Sequence, residues 1–168
     1  MTTSRNSNIF SACMSACLMM TALLSSGANA QLIEKKTLSL EAAQKVIAAA
    51  KAEAKANHWK MVIAVVDDGG HLIAMERMDG AQLGSLDVAP GKAKTALNFL
   101  RPTKNWEETL KTRSAVLTLT PTVVLIEGGV PVVYQGQVIG AVGVSGASSV
   151  QDAQVAEAGV RALGFDSK

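Results

Sequence analysis

The run Met61-Val62-Ile63-Ala64-Val65-Val66, closed by Asp67-Asp68-Gly69-Gly70, constrains the fold more than any other stretch of the chain. A nearly continuous, largely β-branched run reads as a strand covered on both faces, because a strand with one wet face alternates apolar and polar residues. The paired glycines supply the left-handed positions of a tight turn, so His71 to about Arg77 is expected to return antiparallel. Farther on, Val123 to Glu127, Val130 to Tyr134 and Gln137 to Ser145 are separated by Gly128-Gly129 and Gln135-Gly136, both hairpin signals. Two hairpin-linked sets make a five-stranded antiparallel sheet, and helices must supply its cover.

The helices follow from periodicity. Ser39 is placed to cap a helix over about Ser39 to Asn57, with Leu40, Ala43, Val46, Ile47, Ala50 and Ala54 at helical spacing. Ser85 reads as the cap of a second helix ending near Leu100, with Pro90 near its start. Asn105 to Lys111 is expected to form a short exposed helix. Ser148 or Ser149 caps a last one through about Leu163. The order α-β-β-α-(α)-β-β-β-α is that of a single α+β domain over residues 38–168, preceded by a short polar leader over 31–37.

The first thirty residues read differently. Met1 to Asn8 is polar with Arg5 its only charge, Ile9 to Leu24 is apolar and uncharged, and Ala28-Asn29-Ala30 is the small-x-small pattern of a signal-peptidase site. Residues 1–30 are therefore expected to be a secretory signal cut before Gln31, giving a periplasmic or secreted protein with no stable membrane anchor after cleavage. Met14-Ser15-Ala16-Cys17 has a faint likeness to a lipoprotein box, but the apolar run continues past it to Leu24. Cys13 and Cys17 both lie within the signal, so the mature chain of 138 residues has no thiol for a disulfide or a metal. Its charge, +2 with Arg5 and +1 without, shows no basic run or basic-aromatic interleaving, which argues against a nucleic-acid partner.

Several blocks taken in order resemble the GlcG/HbpS family, also called the haem-degrading or DUF336 family, which includes the C-terminal domain of PduO proteins. They are Val65 to Leu72, Arg77-Met78-Asp79-Gly80-Ala81, and Ser85 with Ala89, Lys92-Ala93 and Thr95-Ala96. Gly128 to Val132, Gly140 to Ala147, and Gln151-Asp152 with Ala156 and Gly159 complete the set. The resemblance spans nearly all of the mature chain. It implies a profilin-like α/β/α sandwich that assembles into homo-oligomers, and haem as the cofactor of a carrier, scavenger or sensor accessory with a sensor-protein partner.

Haem requires an apolar slot, an axial ligand and donors for its propionates. With cysteine excluded, the mature inventory is His58, His71, Met61, Met75, Met78 and Tyr134. His58 and His71 flank a strand of about six residues and so lie about 20 Å apart, which makes them alternative axial ligands within one subunit. Their bland roles are a helix C-terminal imidazole and a hairpin-edge side chain in water. Arg77 suits a propionate or other carboxylate, and otherwise pairs with Asp79 to fix the turn. Lys92 serves a similar anion or is simply solvated. Ser145-Gly146 lies where a strand passes into a helix and offers a backbone-amide nest for a carboxylate. The imitation of G-x-S-x-G at Gly143 to Ala147 fails at its last glycine and has no following His, so serine catalysis is not expected. Glu107-Glu108 and Asp67-Asp68 are adjacent pairs that point apart and read as solvated. A second functional class follows from the Arg77-Asp79 loop and the Ser145-Gly146 turn, that of an enzyme or accessory binding a small carboxylate metabolite. A third is a ligand-free structural or regulatory oligomer.

Overall fold

The computed structural model describes residues 33–119 and 122–165; the expected signal and its cleavage point lie outside them. The chain divides into Met1–Glu34, of which only residues 33 and 34 are described, and Lys35–Lys168, which carries all the elements that follow.

Helix α1 spans Leu40–Ala56. The Ser39 hydroxyl accepts from the Ala42 amide at 3.1 Å, and Glu41 and Lys55 complement the two ends of the helix dipole. The strands are β1 (Val62–Asp67), β2 (Leu72–Arg77), β3 (Gly129–Tyr134) and β4 (Gln137–Ser145). The remaining helices are α2 (Ser85–Asn98), α3 (Lys104–Leu110), a 3-10 turn (Ser114–Thr118) and α4 (Ser149–Arg161). A capping box opens α4, Ser148 donating its amide to the Gln151 side chain at 3.1 Å. Among the described residues no helix is long and apolar enough to cross a membrane.

The sheet runs β2-β1-β4-β3 with every neighbour antiparallel, and it has four strands rather than the five expected from sequence. The segment assigned to the extra strand, Val123 to Glu127, has its backbone donors engaged by side chains. Val124 donates to the Thr95 hydroxyl at 2.9 Å, and Glu127 donates to the Glu107 carboxylate at 2.6 Å. Its apolar residue Leu125 joins Trp106 and Val116 in a satellite core. β-Branched composition without a free ladder partner does not make a strand.

β1 is buried along nearly its whole length, as its continuous apolar run requires. Met61, Ile63 and Val65 enter the main core with Val46, Ala50 and Val155, beneath α1 and α4. Val62, Ala64 and Val66 face the other way, against Ala89, Ala93 and Ala96 of α2. The result is an α/β/α sandwich. The α2 layer approaches closely because Gly143 of β4 lies under Ala89 and Ala93. Ser85 is not the cap of α2: Gly84 holds that position without a side-chain bond, and Ser85 is buried in the first turn.

Candidate functional site

Where β1 begins and β2 and β4 end, the fold gathers most of the residues singled out from sequence. Arg77 directs Nε and Nη2 onto the Ala81 carbonyl at 3.1 and 2.8 Å, so its guanidinium locks the turn from within. Asp79, at the tip of that turn, is exposed. Gln82 donates its side-chain amide to the Gly146 carbonyl at 3.2 Å, tying the turn to the end of β4. Gly146 packs on the Lys60 backbone, where a Cβ would collide with the Lys60 carbonyl. The Ser145 hydroxyl donates to that of Ser85 at 3.1 Å, both side chains being buried.

Lys92 departs most from expectation. It is neither solvated nor open to a ligand: the residue is 1% exposed, and its Nζ lies 2.7 Å from Asp152 Oδ2. Asp152, in the first turn of α4, also accepts from the Ala147 amide at 3.1 Å. The amide nest predicted at Ser145-Gly146 therefore does hold a carboxylate, and it is the protein's own. Burial pushes the Asp152 carboxyl above its ordinary value, against the pull of Lys92 and the Ala147 and Gly146 amides. The sequence signal for Asp152 was its place in the first turn after a Gly-Ser corner, where a carboxylate suits the helix N-terminus.

The two imidazoles lie at opposite ends of β1. His58 follows α1 in the left-handed region (φ 59°) and is exposed; its amide donates to Lys55. No ion-pair partner faces it among the described residues. Because a β-carbon is disfavoured at such a helix end, His58→Gly is expected to raise stability by about 1 kcal/mol, read as a higher urea midpoint at unchanged slope.

His71 has a partner. Its Nδ1 lies 3.4 Å from Asp67 Oδ1, and the same carboxylate oxygen accepts the amides of His71 at 2.8 Å and Gly69 at 2.9 Å. Burial is the largest single influence on Asp67 and acts to raise it. The two amides and then the imidazole together outweigh burial and hold the carboxyl below its ordinary value of 3.8. Ionised Asp67 thus faces Nδ1 and leaves Nε2 for another group. The His71 side chain is 83% exposed, so this nitrogen meets solvent rather than an enclosed slot. Leu72, half exposed, follows it, and Leu97 lies under the adjoining Gly70.

Of the other candidate ligands, Met61 is fully buried in the core, Met75 is 40% exposed on β2, and Tyr134 stacks edge-on against Phe165 at 4.9 Å. Glu107 is not a solvated carboxylate as expected: besides Glu127 it holds the Ser149 hydroxyl at 3.2 Å, joining α3 to α4. Asp68 pairs with Lys35 at 3.0 Å, a different partner from that of Asp67. Among the described residues no group of three or more His, Cys, Asp or Glu is placed to hold a metal ion.

Comparison with known proteins extends this picture. Residues 38–161 match the family model described as haem-degrading protein HbpS-like. Protein GlcG of Escherichia coli K12 is 46% identical over 111 residues, which cover 66% of this chain and 83% of GlcG. The crystal structure of a double mutant of Streptomyces reticuli HbpS superposes with a TM-score of 0.77 at 33% identity, covering 83% of this chain and 96% of that one. A PduOC–haem complex superposes with a TM-score of 0.70 at 28% identity, covering 75% and 94% of the two chains.

Proposed function

The chain belongs to the haem-degrading HbpS-like family, and on that footing we propose that it associates with haem at its surface through one axial imidazole, that of His71. The observation that carries this assignment is the Asp67–His71 pair. A metal-ligating imidazole generally has its second nitrogen held by a carboxylate or carbonyl, which fixes the ring and raises the basicity of the nitrogen that binds. His71 has that support at 3.4 Å, and among the described residues no carboxylate pairs with His58. Half-exposed Leu72 offers the porphyrin edge an apolar neighbour, and Lys35, whose 3.0 Å pair with Asp68 is exposed and weakly held, offers a cation for a propionate. Bound haem supplies iron as the reactive or sensed centre; the chain supplies the ligand and its orientation.

An imidazole this exposed leaves the porphyrin uncovered by its own subunit. The proposal therefore includes a homo-oligomer whose second copy covers it, in a protein exported by its first thirty residues to the periplasm or beyond. Carrier, scavenger or sensor accessory all fit a surface-bound haem, with a sensor protein as partner in the last case. The carboxylate-metabolite reading has less support, since Arg77 is engaged by Ala81 and the Gly146-Ala147 amides by Asp152.

Hemin titration tests the proposal. A saturable Soret shift is expected, abolished by His71→Ala and retained by His58→Ala, with Asp67→Asn weakening affinity by about tenfold or more. An undiminished shift in His71→Ala would remove the ligand assignment, and no saturable shift in the parent protein would remove the haem reading itself.

A further inference from the structure

A concave surface lined by neither imidazole lies elsewhere on the domain. Between β3 and α4 a cleft of about 350 Å³ opens, within the range of small-molecule sites. Its walls are apolar: Val130, Pro131 and Val133 from the strand, Val160 from the helix, and Phe165 at the end. Tyr134 meets the Phe165 ring edge-on at 4.9 Å, and Lys36 Nζ lies 4.6 Å from the Tyr134 ring. The rim carries one charge of each sign, Glu157 and Arg161, with Oε2 and Nη1 3.5 Å apart. Both are more than half exposed, and an exposed pair one helical turn apart is weakly held, so a ligand can recruit either group at little cost.

The cleft borders the free margin of β3, yet it is unsuited to an added peptide strand. The backbone of Gly129 points its amide and carbonyl away from β4, where Thr103 takes both: Gly129 donates to the Thr103 hydroxyl at 2.8 Å and accepts its amide at 3.0 Å. Two residues on, the same margin reaches Pro131, which has no N–H to give. Main-chain pairing is thus blocked at successive outward positions, and recognition must come from side chains.

From this geometry we infer that the cleft binds a free α-amino acid with a large apolar side chain. The side chain fills the Val-Pro-Phe hollow, the carboxylate meets Arg161, and the ammonium meets Glu157. Neighbouring opposite charges on the ligand match neighbouring opposite charges on the rim, whereas a lone carboxylate would meet Glu157 unfavourably and a lone amine would meet Arg161 unfavourably.

Calorimetric titration of the protein with L-phenylalanine, 3-phenylpropionate and phenethylamine decides the matter. Phenylalanine is expected to bind, with each half-ligand about tenfold weaker or more, the loss of one charge-assisted contact. Arg161→Gln and Glu157→Gln, both at exposed positions, are each expected to weaken phenylalanine by a similar factor, and Val133→Trp to abolish binding by filling the hollow. The inference is overturned if phenylalanine gives no heat at millimolar concentration. It is equally overturned if the half-ligands bind as well as the whole, or if neither rim variant changes affinity. The haem titration is unaffected by any of these outcomes, because its residues lie elsewhere.

Discussion

Lys92→Met is expected to cost about 3–5 kcal/mol of folding free energy, because it leaves the Asp152 carboxylate buried without its counter-charge. The two side chains are 2% and 3% exposed, so no water replaces the lost ammonium. Lys92→Met with Asp152→Leu should recover much of that loss, since a well-packed apolar pair substitutes for a buried ion pair at little net cost. Recovery is incomplete, because the Ala147 amide loses its acceptor in the double variant. Urea unfolding of the parent, Lys92→Met, Asp152→Leu and the double variant measures this, and near-additive losses would show that the pair is not coupled. The pH dependence carries a definite sign. The folded Asp152 pKa lies above the unfolded 3.8, so the native state binds the proton more tightly. The Asp152 contribution is therefore most favourable below 3.8 and declines as pH rises through the folded value. Lys92→Met removes the ammonium that opposes the shift, so the decline should widen to higher pH.

Gly143→Ala is expected to be nearly as damaging, at about 3 kcal/mol or more. An added Cβ would meet the Ala89 carbonyl and lie 2.5 Å from the Ala93 amide nitrogen, both backbone atoms of α2 that no rotamer change can move. Relief requires lifting α2 from the sheet, which unpacks Val62, Ala64 and Val66 together. Gly84→Ala is the control. Nothing lies within 4 Å of its added carbon and its φ is −59°, so a change within about 0.5 kcal/mol is expected. Equal melting temperatures for Gly143→Ala and the parent would show that the helix can ride higher without loss.

Local signals carried most of the architecture. The Ser39 cap, the Asp-Gly turn after β1, the Gln135-Gly136 hairpin and the Ser148 capping box are each specified within a few residues, and each forms where its sequence puts it. The extra strand failed because its fate was set by Thr95 and Glu107, side chains 29 and 20 residues away that took its amides. The burial of Lys92 has the same origin: its partner lies 60 residues downstream, and a lysine on an Ala-rich helix carries no local mark of burial. For His71, the five-residue span from Asp67 contains the whole pair, but the direction of the imidazole depends on the turn that brings it back. The β3–α4 cleft was illegible because its walls come from a strand and a helix joined only in the folded layers.

The unequal margins of the sheet limit how copies of this protein can join. Thr103 and Pro131 close the first outward positions of β3, whereas β2 stands at the other end of the strand order, its pairing with β1 irregular where Val65 and Val66 meet Ala74 and Leu72. Fibrous growth by strand addition needs two adhesive sides per molecule, and the closed start of β3 works against one of them. Open-ended strand addition, the route by which a strand-rich, Val-rich protein polymerises, is thereby disfavoured.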